Sequence, residues 1–186
     1  TWSLAGLQLF YVQHCHVSDN NVSLNNRGGI WVNRSSNNTI ADNSIYSNGD
    51  EGINIYTSSN NNTIYNNTIS SNGYGISISG SDNTIYHNNL INNTNQAYDS
   101  GTNSWNLTNP TGGNYWDNWT SPDSDGDGVV DNPYNVSGGA GAQDQLPWKE
   151  QDGWTLDYSE PVANAGPDQT VDEDTLVTFD GSGSTD

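Results

Sequence analysis

The densest concentration of chemistry in this sequence lies between residues 123 and 131. There, Asp123-x-Asp125-x-Asp127-Gly128-Val129-x-Asp131 sets carboxylates at alternate positions. A hard cation such as Ca2+ takes about six to eight oxygens. A loop can offer them from its first, third and fifth side chains, the carbonyl of its seventh residue and a ligand at its ninth. Those positions are Asp123, Asp125, Asp127, Val129 (through its carbonyl) and Asp131, and Gly128 stands at the sixth, where such loops turn sharply. The twelfth position, which would bring a bidentate carboxylate, is Tyr134. A last ligand therefore has to come from elsewhere, with Asp117 and Asp144 as candidates. Four carboxylates this close repel one another unless a cation sits among them. The expected cofactor is Ca2+ and its expected role is structural; without metal the same residues form an acidic turn.

The other reactive residues make poorer sites. His14 and His16 flank Cys15, and two imidazoles on one strand are an incomplete copper or zinc site. They read as solvent-facing, with Cys15 between them pointing inward. Cys15 is the only cysteine, so no intrachain disulfide can form. Asp19 and Asp42 fall one repeat apart, and neighbouring carboxylates can split their pKa values for glycosidic chemistry. Their column continues as Asn66, however, which favours a turn. No catalytic residue is assigned, and the chain reads as a non-enzyme. Nine Asn-x-Ser/Thr sequons, at Asn21, Asn33, Asn37, Asn61, Asn66, Asn92, Asn106, Asn118 and Asn135, are candidate glycosylation sites. A chain this rich in Asn, Ser and Thr also makes sequons by chance.

Charge and composition limit the partners. Against 22 Asp and Glu there are 3 Lys and Arg, for a net charge of −19. Such a surface repels nucleic acid and anionic lipid, which need cations to neutralise phosphate. No apolar run approaches the roughly 18 residues of a membrane span. Hydrophobic residues are only 31% of the chain, and Asn, Ser, Thr and Gly fill most of the remainder, which suits turns and polar ladders.

What positions these residues is a repeat. Gly6-Leu7-Gln8-Leu9, Gly29-Ile30-Trp31-Val32, Gly52-Ile53-Asn54-Ile55 and Gly75-Ile76-Ser77-Ile78 recur every 23 residues. Val17, Ile40, Ile64 and Ile85 form a second column, and Val22, Ile45, Ile69 and Leu90 a third. Apolar residues alternate over short stretches, as in strands, and Asn and Gly punctuate them, as in turns. One repeat buries too little to stand alone. Stacked at the strand spacing of about 4.8 Å, the columns become continuous apolar ladders. Asn38, Asn62 and Asn83 should stack likewise, as should Asn20, Asn43, Asn67 and Asn88, their amides donating and accepting from coil to coil. The outward positions Gln8, Trp31, Asn54 and Ser77 offer no general acid or base. The repeat degrades at Gln96-Ala97-Tyr98-Asp99, and an aromatic cap of Tyr115, Trp116, Trp119, Trp148 and Trp154 is expected to cover the last coil. Phe10-Tyr11-Val12 occupies a turn that is polar in the next coil (Asn33-Arg34-Ser35), leaving an apolar patch near an exposed edge.

These repeats resemble the parallel β-helix repeats of the NosD-type family, also described as carbohydrate-binding and sugar-hydrolase β-helix proteins. The resemblance spans roughly residues 1–150 and includes Gly113-Asn114-Tyr115-Trp116, the acidic loop, Asn132-Pro133-Tyr134 and Asp144-Gln145-Leu146-Pro147. This ordered set is similar to the C-terminal signature of archaeal surface members, and members of the family have been linked to copper handling. Pro161-Val162-Ala163-Asn164-Ala165-Gly166-Pro167-Asp168, with Phe179 to Ser184, resembles the opening of a polycystic-kidney-disease-type (PKD) β-sandwich.

The expected organisation is all-β. A right-handed parallel β-helix of about four coils fills residues 1–109, an aromatic cap with the acidic loop fills 110–158, and a truncated β-sandwich segment fills 159–186. The chain begins and ends in mid-pattern, so it reads as a piece of a longer extracellular or cell-surface polypeptide. The expected function is a structural or adhesive module that is Ca2+-stabilised and associates with itself or with other surface proteins. The alternative is a polysaccharide-binding or polysaccharide-degrading β-helix protein whose active site lies outside this stretch.

Overall fold

The computed structural model describes residues 5–156. The expected PKD-type segment, 159–186, lies outside the described residues. Coil 1 holds β1 (Leu7–Phe10), β2 (His16–Ser18) and β3 (Asn21–Ser23); coil 2 holds β4 (Ile30–Asn33), β5 (Thr39–Ala41) and β6 (Ser44–Tyr46). Coil 3 holds β7 (Glu51–Ile55), β8 (Thr63–Tyr65) and β9 (Thr68–Ser70); coil 4 holds β10 (Tyr74–Ile78), β11 (Thr84–Tyr86) and β12 (Asn89–Ile91). A partial fifth turn contributes β13 (Asn95–Asp99) and β14 (Tyr115–Trp116). β15 (Tyr134–Asn135), β16 (Gln143–Asp144) and a 3-10 turn at Gly153–Thr155 complete the described residues.

The strands stack into three parallel sheets in the orders β1-β4-β7-β10-β13, β2-β5-β8-β11 and β3-β6-β9-β12-β14. Register follows the sequence columns. Leu7 pairs with Ile30, Ile30 with Ile53 and Ile53 with Ile76; Val17–Ile40–Ile64–Ile85 and Val22–Ile45–Ile69–Leu90 do the same. This is a parallel β-solenoid, as the repeat predicts, with about five turns where about four coils were expected. Every inward isoleucine from Ile30 to Ile85 is fully buried, and burying such a side chain contributes roughly 1.5–3 kcal/mol.

The corners explain the polar half of the repeat. From Asn20 to Asn93 each ladder asparagine follows a residue with positive φ, for example Asn37 (58°) before Asn38, Asp42 (58°) before Asn43 and Ser47 (54°) before Asn48. The left-handed conformation costs most side chains energy, and Asn and Asp tolerate it best. Asp19 and Asp42 are such corner residues, with Asn66 and His87 in the same column, so their pairing has the geometry of a turn. The glycine before each Ile-x-Ile strand has a packing reason. A Cβ at Gly29 would stand 2.6 Å from Gly52 O and 3.0 Å from Asn48 Nδ2, and that space belongs to the ladder.

Of the outward positions, Trp31 and Asn54 are covered rather than open (each 8% exposed). Arg27 lies over the Trp31 ring at 5.2 Å, Tyr56 meets it edge-on, and the indole donates to Glu51 Oε2 at 3.3 Å. At coil 1, Phe10 and Tyr11 are exposed, as their sequence predicts, while Val12 is partly buried against the core.

Candidate functional site

The C-terminal end of the solenoid is built from the ladders. In the second ladder, Asn43 Nδ2 donates to Asn67 Oδ1 (2.9 Å), Asn67 to Asn88 (2.9 Å) and Asn88 to Asn114 (2.9 Å). The backbone N–H of each residue donates to the same oxygen. The first ladder runs from Asn38 through Asn62 and Asn83 to Asn103. Cys15 stands at its head, where its N–H donates to Asn38 Oδ1 at 2.9 Å. A third ladder, Asn25–Asn48–Asn72–Asn93, completes the set.

Each ladder points its donors toward the C-terminus, and each ends on a carboxylate. Asn103 Nδ2 donates to Asp99 Oδ1 (2.8 Å), and Asn114 Nδ2 and N donate to Asp144 Oδ2 (3.2 and 2.7 Å). Asn93 Nδ2 donates to Gln96 Oε1 (2.8 Å), whose own amide donates to Asp117. A row of aligned amides leaves bare N–H donors at one end, and an anion is their strongest acceptor. Asp99 occupies the column of Val32, Ile55 and Ile78, where the sequence repeat degrades. Asp99 and Asp144 are both fully enclosed, and each takes an indole N–H: Trp105 on Asp99 (2.8 Å) and Trp116 on Asp144 (2.9 Å). Burial pushes the Asp144 carboxyl up to about 6 against the hydrogen bonds from Asn114, Trp116 and Leu146.

Trp105, which the expected cap omits, is as buried as Trp116 (1% exposed each). Trp148 is also buried. Trp119 and Tyr115 are half-buried, and Trp154 stacks on His87 at 4.8 Å. Burial lowers the pKa of His87.

The acidic loop sits on this cap. Val130 N donates to Pro147 O, Asp131 N to Pro122 O, and Val129 bridges Trp148. Carboxylate oxygens of Asp123, Asp125 and Asp127 lie within 4.8 Å of one another, close enough to share one cation. The Asp123 side chain is only 2% exposed and pairs with Lys149 Nζ at 3.4 Å. Asp131 lies outside that group, and its carboxylate accepts from Ser124 Oγ at 2.6 Å. The two candidate extra ligands are engaged in the cap. Asp144 spends its oxygens on Asn114, Trp116 and Leu146, and Asp117 spends its own on Gln96 and Asn92.

His14 and His16 are both exposed, and Cys15 is half-buried against the core. Among the described residues the acidic triad is the one group of three or more metal-ligating side chains. Of the sequons, Asn21, Asn37, Asn61, Asn66, Asn92, Asn118 and Asn135 are exposed, while Asn33 and Asn106 are half-buried.

Fold and cap together define a capped parallel β-solenoid of the repeat-protein class. The chain belongs to the NosD family, described as periplasmic copper-binding protein, whose model matches residues 2–121. No curated protein and no solved structure matches the chain. Copper favours imidazole, thiolate and thioether ligands. The grouped donors here are carboxylates alone, so they do not fit the metal in the family's description. A periplasmic or extracellular setting follows from the family, and among the described residues no helix is long and apolar enough to cross a membrane.

Proposed function

We propose that this chain is a non-enzymatic structural or adhesive module of a cell surface, stabilised by Ca2+ at Asp123, Asp125 and Asp127, with Val129 and Asp131 completing the loop. The observation that carries this reading is the placement of three converging carboxylates on the cap that closes the solenoid. A cation there would tie the loop to the strand-end bridges at Val129 and Trp148. The donor set supports a hard cation over copper. The sequons and the PKD-like tail support a surface protein of archaeal type, associating with itself or with neighbouring surface proteins. Thermal melting of the full chain with Ca2+, with Cu2+ and with EDTA tests the assignment. A rise with Ca2+ that Asp125→Asn abolishes supports it, and no response to Ca2+ overturns it. Light scattering across concentration tests self-association.

A second reading, polysaccharide binding, draws on a shallow cleft of about 330 Å3 between Trp119, Ser121, Pro122, Asn132 and Asn135. An aromatic face flanked by amides and hydroxyls suits a neutral sugar. A glycan array on the full chain, repeated with Trp119→Ala, decides that reading.

A further inference from the structure

The third ladder carries a chemical liability that the other two avoid. Asn48-Gly49 and Asn72-Gly73 are the two Asn-Gly pairs of the chain. Both asparagines are ladder residues, each 3% exposed. In the other two ladders a bulkier residue follows, as in Asn38-Thr39, Asn62-Thr63, Asn43-Ser44 and Asn67-Thr68. The backbone nitrogen after an asparagine can attack the side-chain carbonyl carbon, and glycine, without a Cβ, shields that nitrogen least. Packing demands these glycines. A Cβ at Gly49 would stand 2.4 Å from Asn26 O, and one at Gly73 would stand 2.7 Å from Asp50 O. The fold therefore needs asparagine and glycine side by side at both places.

The ladder holds both amides on every polar atom. Asn48 Nδ2 donates to Val22 O (3.1 Å) and Asn72 Oδ1 (3.0 Å), and Asn48 Oδ1 accepts from Asn25 N (3.2 Å) and Nδ2 (2.9 Å). Asn72 Nδ2 donates to Ile45 O (3.2 Å) and Asn93 Oδ1 (3.0 Å), and Asn72 Oδ1 accepts from Asn48 N and Nδ2 (3.0 Å each). The backbone N–H of Asn48 shares the acceptor of its own Nδ2, and so does that of Asn72, which fixes each side chain turned toward its own N–H. The two glycines differ. Gly49 N donates to Asn25 O at 2.9 Å, whereas Gly73 N has no acceptor among the described residues.

We propose that Asn72-Gly73 is a site of spontaneous deamidation gated by opening of the third ladder, with Asn48-Gly49 a slower second site. While the ladder is closed, its hydrogen bonds keep Cγ from turning onto the glycine nitrogen. When the coil opens, the deprotonated nitrogen of Gly73 attacks Cγ of Asn72. A C–N bond forms, the Cγ–Nδ2 bond breaks, and ammonia leaves with a proton taken from water. Water then opens the cyclic imide to aspartate or to isoaspartate. The sum is amide plus water giving carboxylate plus ammonium, and nothing is oxidised or reduced. At Asn48 the glycine N–H must first leave Asn25 O. Either product blocks reclosure. Aspartate sets an oxygen where Nδ2 donated to Ile45 O and Asn93 Oδ1, and burying that charge against acceptors is costly. Isoaspartate adds a backbone carbon to a coil whose strands pair by residue count. The opening of one coil thereby becomes irreversible. The site rests on the solenoid alone and involves neither the cation loop nor the cleft at Trp119.

Peptide mapping by mass spectrometry tests this on the full chain, held in mildly alkaline buffer either folded or in concentrated urea. In urea both Asn-Gly pairs should convert at similar rates, ahead of the other ladder asparagines. In the folded chain both should slow by roughly a hundredfold or more, because reaction then follows the open fraction, and Asn72 should convert before Asn48. Asn93→Ala removes the acceptor of Asn72 N and Nδ2. It should speed Asn72 conversion in the folded chain by roughly tenfold and leave the rate in urea unchanged. Asn72→Asp, made directly, should lower melting by about 5 °C or more. Folded and unfolded rates within about threefold of each other would overturn the gate, and this comparison on the unaltered chain decides it whether or not Asn93→Ala folds. Asn48 converting before Asn72 in the folded chain would overturn the choice of site. An Asn72→Asp chain that melts as the unaltered one does would overturn the block to reclosure.

Discussion

Asn114 gives two N–H groups to a single oxygen of Asp144, its backbone at 2.7 Å and its Nδ2 at 3.2 Å. The two residues are 30 apart in sequence, and their meeting fastens the cap to the last amide of a ladder that begins at Asn20. Gly113 leaves room for the carboxylate, since a Cβ there would clash with it. Trp116 adds its indole N–H to the same oxygen.

Replacing Asp144 by Asn should therefore be costly despite identical shape. One acceptor oxygen becomes an amide that faces the donors of Asn114 and Trp116. Leaving buried donors unmet costs about 1–3 kcal/mol each, so a loss of about 3 kcal/mol is expected. At roughly 2–4 °C per kcal/mol for a chain of this size, melting should fall by about 6–12 °C. A fall below about 2 °C would mean that the cap does not hang on this carboxylate.

The same group sets a pH dependence. Burial raises the folded-state pKa of Asp144 from 3.8 to about 6. Between those values the native state holds a proton that the unfolded state has lost, so stability falls as pH rises through the window. The contribution is complete below 3.8 and gone above about 6. Two units correspond to about 3 kcal/mol. His87 acts oppositely, because its pKa is lowered from 6.5, so its share of stability is lost as pH falls below that value. In a His87→Gln background, melting should rise from pH 7 to pH 5, and Asp144→Asn should remove most of that slope. Urea melts at several pH values measure it.

The solenoid was legible in the sequence because its period is carried twice, by isoleucine columns and by asparagine columns. Ile53 over Ile30 and Asn67 over Asn43 could each be placed by counting alone. The third ladder, Asn25 to Asn93, follows the same count. The cap was less legible because its key pairs have no period. Gly113-Asn114-Tyr115-Trp116 and Asp144-Gln145-Leu146-Pro147 were recognisable as a signature, but nothing in their spacing says that Asp144 accepts from Asn114 and Trp116. Asp99 reads as a broken repeat until Trp105 and Asn103 are seen donating to it. Asp117 and Asp144 read as spare metal ligands because a lone acidic residue carries no mark of the donors it will meet.

The ladder core should fail abruptly rather than gradually. Ile53 and Ile76 pair directly and are fully buried. Ile76→Ala should cost about 2–5 kcal/mol, the range for removing a buried aliphatic side chain. Ile53→Asp puts a charge where no partner exists and should unfold the solenoid. Circular dichroism that keeps its β signal and midpoint in Ile53→Asp would contradict the stacked core.

The cation loop gives the last prediction, and Lys149 makes it discriminating. Its ammonium lies 3.4 Å from Asp123 Oδ2, beside the space that a cation would share with Asp125 and Asp127. An ammonium and a divalent ion compete for one carboxylate, so Lys149→Gln should tighten Ca2+ binding while slightly destabilising the metal-free chain, since an ion pair with one exposed partner is worth at most about 1 kcal/mol. Saturating Ca2+ at about 100 times its Kd stabilises by about 2.7 kcal/mol. Melting should then rise by roughly 5–10 °C, and the Lys149→Gln variant should reach that rise at lower Ca2+. Asp125→Asn should abolish it in both backgrounds. If Lys149→Gln leaves the Ca2+ response unchanged or weakens it, Lys149 does not compete for this site; if the unaltered chain and Lys149→Gln both fail to respond to Ca2+, the loop is an acidic turn rather than a Ca2+ site.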